Sequence, residues 1–80
     1  MTVTVLLFAS YADSLGTRSM AVDLPTGATA GEVLSRVQAL PGGNRLPARP
    51  LIAVNERYAK PSHVLNAGDE VAIIPPVAGG

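Results

Sequence analysis

Thr29 to Leu40 is the one stretch of this chain with a helical repeat, and the other apolar segments are short and read as strands. Thr29-Ala30-Gly31-Glu32 fits a capping box, in which the Thr29 hydroxyl accepts from the Glu32 amide and the Glu32 carboxylate reaches back. Val33, Val37 and Leu40 then recur at helical spacing, Ala30 and Leu34 widen the stripe, and Pro41 with Gly42-Gly43 ends it. A helix of about 11 residues with a single apolar stripe covers one face of one sheet. That restriction decides the fold class.

The strands follow from alternation. In Thr2–Ala9, Val3, Val5 and Leu7 alternate with Thr4, Leu6 and Phe8. Ser10 to Arg18 predicts a loop with room for one helical turn. Ser19 to Leu24 alternates again, and Pro25 stops it because proline cannot donate to a ladder. Pro41 to Pro50 is a loop with three prolines in ten residues. Leu51–Val54 predicts a strand, Asn55-Glu56 a two-residue turn, since Asn tolerates positive φ, and Arg57–Ala59 a returning strand. Pro61–Leu65 suggests a single helical turn, Asn66–Asp69 a turn, and Glu70–Ile74 the last strand.

The order β-β-α-β-β-β gives an α+β roll. Its inward set is Val3, Val5, Leu7, Met20, Val22, Leu24, Val33, Val37, Leu40, Ile52, Val54, Leu65, Val71 and Ile73. The opposite parity places Leu6, Phe8, Ala53, Ala72 and Ile74 on the uncovered face. A solvent-facing sheet is normally polar there, and a contiguous exposed apolar patch marks a binding surface. The competing cover for that patch is the loop from Pro41 to Pro50.

Composition excludes more than it includes. Eighty residues, 48% of them hydrophobic, make one folded domain. There is no cysteine and one histidine, so neither a Cys–His pair nor the usual nitrogen and sulfur zinc site can be assembled. His63, between Ser62 and Val64, reads as a surface turn residue. Asp13, Asp23 or Asp69 could formally join it and a serine, but no nucleophile elbow or oxyanion pattern is present. Gly42-Gly43 lacks the lysine context of a phosphate loop. Net charge is zero, and Arg45, Arg49, Arg57 and Lys60 are interrupted by prolines and apolar residues. With Phe8, Tyr11 and Tyr58 as the aromatics, no nucleic-acid partner is expected. No apolar run approaches the roughly 20 residues of a membrane span. Met1-Thr2-Val3 lacks a signal-peptide start, so the expectation is a cytoplasmic protein with no membrane association and no bound metal or cofactor.

The segment Ile73-Ile74-Pro75-Pro76-Val77-Ala78-Gly79-Gly80 is the informative one. A strand enters a diproline, which favours an extended exit. At a glycine frequency of about 7%, a terminal pair arises by chance in roughly half a per cent of chains. Two residues without Cβ suit a carboxyl terminus that must thread a narrow channel and have its last carbonyl approached closely. The expected organisation is a globular domain over residues 1–74 and a flexible tail over 75–80.

Several segments together carry a family resemblance: Val5-Leu6-Leu7-Phe8-Ala9, Leu24-Pro25-Thr26-Gly27-Ala28-Thr29, Ala53-Val54-Asn55-Glu56, Leu65-Asn66-Ala67-Gly68-Asp69-Glu70-Val71 and the terminal Ile74-Pro75-Pro76-Val77-Ala78-Gly79-Gly80. Over essentially its whole length the chain resembles the small, sulfur-carrying subunits of molybdopterin synthase, within the MoaD/ThiS group. It departs from them in the proline-rich loop 41–50, where relatives often continue with helical sequence.

The resemblance implies a ubiquitin-like β-grasp fold, a mixed sheet of about five strands on one helix. It also implies a cycle. An ATP-using, ubiquitin-activating-enzyme-like adenylyltransferase adenylates the Gly80 carboxylate, and sulfur replaces the adenylate to give a thiocarboxylate. Gly79-Gly80 then enters the large subunit of molybdopterin synthase and delivers sulfur to cyclic pyranopterin monophosphate. Phe8, Tyr58 and Ile74 fall where the family docks its partners, continued by Pro75, Pro76, Val77 and Ala78. Two alternatives are a carrier or ubiquitin-like modifier serving another pathway, such as thiamine or an amino acid, and an interaction domain with an inert tail.

Overall fold

The computed structural model describes residues 1–43 and 50–75. Its elements are β1 (Thr2–Leu7), α1 (Ser10–Leu15), β2 (Ser19–Asp23), α2 (Ala30–Gln38), β3 (Leu51–Val54), β4 (Arg57–Tyr58) and β5 (Glu70–Ile74). One five-stranded sheet has the order β2-β1-β5-β3-β4. β1 and β5 are parallel neighbours, with Val5 beside Val71 and Leu7 beside Ile73, and the other pairs are antiparallel. The last strand therefore lies in the middle, and its direction requires the crossover that α2 supplies.

α2 starts where the sequence places it. Thr29 is extended (φ −106°, ψ 165°) and its Oγ1 accepts from the Glu32 amide at 3.4 Å, the first half of the expected box. The helix buries Ala30, Val33, Leu34 and Val37 and ends at Gln38, short of Leu40. Leu40, expected inside, is 39% exposed. It lies in the turn closed by the bond from the Gly43 amide to the Leu40 carbonyl, so it has left the apolar stripe. Gly42 follows at φ 87°, where a Cβ would sit 2.1 Å from the Ser14 carbonyl oxygen. That close approach of α1 explains a glycine at this position.

α1 occupies the helical turn allowed for in the stretch Ser10–Arg18 and is longer than that single turn. Ser10–Leu15 is helical and ends at Gly16 in the left-handed region (φ 75°), whose amide donates to the Ala12 carbonyl at 2.8 Å. Six residues are too short for propensity to decide, and packing does: Tyr11 is buried, with Ala12 and Leu15 against the core. α1 is a second, short helix beside α2, contributing Tyr11 to the core. Residues 61–65 form a turn instead of a helical turn, because Val64 bridges to Thr29, which leaves Val64 exposed and Leu65 buried.

The remaining inward set holds. Val3, Val5, Leu7, Leu24, Val33, Val37, Ile52, Val54, Leu65, Val71 and Ile73 are all buried. Met20 is only half-buried and Val22 likewise, because β2 is an edge strand. The hairpin at Asn55-Glu56 has φ 51° and 71° at its two central residues, the left-handed pair of a tight primed turn. Asn55 also ties that hairpin to β5: its Nδ2 donates to Asp69 Oδ1 (3.0 Å), and its Oδ1 accepts from the Glu70 amide (3.0 Å).

Candidate functional site

On the face away from α2, the register aligns one row of residues across the sheet. Leu6 pairs with Ala72, Ala72 with Ala53, and Ala53 with Tyr58. One step toward the end of β5, Ile74 pairs with Leu51, and Phe8 follows the end of β1 alongside. These residues, joined by Glu56 and Glu70, border an open groove of about 330 Å³ lined by Leu6, Phe8, Ala53, Glu56, Tyr58, Glu70, Ala72 and Ile74. All five outer-face residues read from alternation are here, with Tyr58. Phe8 is 46% and Tyr58 76% exposed. Ala53 is buried, because a methyl group between Ala72 and Tyr58 forms the floor of the groove.

Leu51 is exposed and was missed as an outer-face residue. The signal was available: Leu51 shares parity with Ala53. A second hollow of about 510 Å³ lies across Leu6 and Phe8, lined also by Leu7, Ala9, Ala12, Asp13 and Arg18. Ala9, the residue before α1, holds φ 50° and ψ −127°, a region L-residues rarely occupy. It turns the chain sharply after Phe8.

β5 ends in this region. Ile74 is half-buried on the groove wall and Pro75 is half-buried after it. Of the predicted site residues, Phe8, Tyr58 and Ile74 are brought to one face, and Pro75 follows directly. Pro76, Val77, Ala78, Gly79 and Gly80 lie outside the described residues, as do residues 44–49 of the Pro41–Pro50 loop weighed as a cover for the groove.

Side-chain chemistry is sparse. Asp69 is the buried charged residue among those described. Hydrogen bonds from the Asn66 amide and from Asn55 hold its carboxyl below its ordinary value of 3.8, and nearby His63 adds a little in the same direction. That carboxylate is fully engaged in fastening the β3–β4 hairpin to the turn before β5, which is a structural task. Burial pushes the Tyr11 phenol up, and its hydroxyl makes no hydrogen bond among the described residues. His63 is exposed. Among the described residues no three His, Asp or Glu side chains group as metal ligands, and no helix is long and apolar enough to cross a membrane.

A mixed sheet with two central parallel strands, wrapped on one main helix and uncovered on the other face by any of the described residues, is a ubiquitin-like β-grasp domain. The chain belongs to the ThiS family, whose model matches residues 5–80. It is 33% identical over 79 residues to the molybdopterin synthase sulfur carrier subunit of Arabidopsis thaliana, covering 98% of this chain and 82% of that one. Among solved structures it resembles Haloferax volcanii small archaeal modifier protein 1 (27% identity, TM-score 0.84, 95% and 98% covered). It also resembles a molybdopterin converting factor subunit 1, so described as putative, from Pyrococcus furiosus (26% identity, TM-score 0.83, 96% and 99% covered).

Proposed function

We propose that this chain is a cytoplasmic sulfur carrier of molybdenum cofactor biosynthesis that works through the carboxyl group of Gly80. The observation that carries the reading is the continuity of β5 with the groove: the central strand carries Ala72 and Ile74 along it, beside Leu6 and Phe8, and ends at Ile74, directly before Pro75. A protein that lays its own surface on this groove is positioned to receive the segment that follows Ile74. Kinship with molybdopterin synthase sulfur carrier subunits supports the pathway.

The chemistry needs no side chain from this chain. A carboxylate is a poor acyl acceptor. An adenylyltransferase converts the Gly80 carboxylate to an acyl adenylate, expelling pyrophosphate from ATP. A sulfur nucleophile then displaces AMP, leaving a thiocarboxylate. The large subunit of molybdopterin synthase takes up Gly79-Gly80 and supplies the catalytic side chains; the thiocarboxylate sulfur bonds to cyclic pyranopterin monophosphate, and water cleaves the resulting acyl–sulfur bond, leaving the sulfur on the substrate and regenerating the Gly80 carboxylate. Phe8, Tyr58, Ile74, Pro75, Pro76, Val77 and Ala78 are the docking residues. The zero cysteine count agrees with sulfur riding on the main chain.

Deleting Gly80 tests this reading. The truncated chain is expected to fold and melt as the full chain does, and to support no molybdopterin formation in a reconstituted reaction. Molybdopterin formed at the full rate refutes it. The likeness to an archaeal modifier keeps a second reading, conjugation of Gly80 to lysine side chains, which the same assay separates by the appearance of lysine-linked products.

A further inference from the structure

The outer groove is not uniformly apolar, and its charges are one-sided. Its lining includes two carboxylates, Glu56 and Glu70, and no cation. The neighbouring hollow beyond Phe8 balances Asp13 with Arg18, so the acidic bias is confined to the Tyr58 side. The two glutamates arrive from different elements: Glu70 opens β5, two positions before Ala72 on the same face, and Glu56 is the second residue of the hairpin turn. Neither carboxylate has an ion-pair or hydrogen-bond partner among the described residues. The side chains along this face thus run from Ile74, Phe8 and Leu51 at the end where the chain leaves, through Leu6 and Ala72, to the two carboxylates. Four strand rises separate Glu70 from Ile74, about 13 Å.

We infer that the protein surface seated on this groove presents an arginine or lysine to Glu56 and Glu70, about 13 Å from the point where it receives the residues after Ile74. The inference rests on the docking role proposed above for this face and adds the chemistry of the occupant: an apolar anchor against Phe8 and Leu6, and a cation at the far end. Charge complementarity favours it over a second copy of this chain, because a two-fold contact would bring this acidic end against an equivalent surface that carries no cation among its lining residues. A carboxylate pair at the rim steers encounter and fixes which way round the partner lies, so that the segment after Ile74 meets the partner's channel. Glu56 holds φ 71° at a turn position where glycine is favoured, so a residue with a carboxylate stands there at a backbone cost.

The test titrates the cognate molybdopterin synthase large subunit into the full-length chain, its Glu56→Gln/Glu70→Gln double variant and Phe8→Ala, at low and high salt, with melting temperatures as fold controls. The wild type is expected to lose about tenfold in affinity across the salt range, and the double variant to bind about tenfold more weakly at low salt with little salt dependence. Double-variant binding equal to wild type with the same salt slope, alongside a weakened Phe8→Ala, overturns the cationic contact and leaves the docking face standing. A Phe8→Ala variant that binds as wild type overturns the docking face itself. A wild type that dimerises through the groove, with the dimer lost in Phe8→Ala, also overturns the inference and gives the groove to a second copy.

Discussion

Phe8 and Ile73 sit on opposite faces at the same end of the sheet, and exchanging each for alanine should separate docking from folding. Ile73 is fully buried between Leu7 and Ile52 in the ladder. Its truncation removes three carbons from a site with no solvent to fill the void, a loss of about 2–5 kcal/mol. For a domain of this size that lowers the melting temperature by roughly 4–8 °C per kcal/mol, so Ile73→Ala should melt at least about 8 °C lower. Phe8 keeps 46% of its surface exposed. About half of the usual 1.5–3 kcal/mol for a buried aromatic is at stake, near 1 kcal/mol, and the melting temperature should fall by only a few degrees. Against the large subunit the ranking reverses. Phe8→Ala should weaken binding by about 1–3 kcal/mol, the range for an interfacial aromatic anchor. Ile73→Ala, assayed well below its melting point, should bind close to normally. Calorimetry on the free proteins and titration against the partner give both numbers. A Phe8→Ala variant that melts as low as Ile73→Ala while binding normally would refute the assignment of faces in β1.

Glu56→Gly relieves a left-handed residue that carries a Cβ, so the free protein should gain about 1 kcal/mol, seen as a higher urea midpoint with an unchanged slope. A lower midpoint would mean the Glu56 side chain supports the hairpin. Asp69 has a lowered pKa in the folded chain, so its contribution is present above its ordinary value of 3.8 and is lost as the pH falls through the folded value. Asp69→Asn should therefore be less stable than wild type at neutral pH, with the gap closing in acid. A gap independent of pH contradicts the role assigned to the ionised carboxylate.

The sheet and its outer-face residues were legible because β-alternation fixes parity. Once Val3, Val5 and Leu7 point inward, Leu6 and Phe8 cannot, and β5 repeats the logic with Val71 and Ile73 against Ala72 and Ile74. The Asn55-Glu56 turn and the Thr29 cap were legible for the same local reason, since each rests on a few contiguous residues. What escaped depends on contacts distant in sequence. α1 runs beyond the single turn allowed for because Tyr11 finds the core, and Leu40 leaves it because the turn at Gly42 packs on Ser14. Val64 is drawn into a bridge with Thr29 instead of a helical turn. The groove's acidic end was also invisible to periodicity, because Glu56 and Glu70 are 14 residues apart and meet only through the β3–β5 pairing.

A sulfur carrier of this kind must hold sulfur at its C-terminal carboxyl. The full-length chain, incubated with ATP, the cognate adenylyltransferase and a sulfur donor, should show by intact-mass spectrometry a single exchange of oxygen for sulfur. Fragmentation should place that exchange at Gly80. An unchanged mass under conditions in which the adenylyltransferase activates an authentic sulfur carrier, or a modification mapped to any other residue, contradicts it.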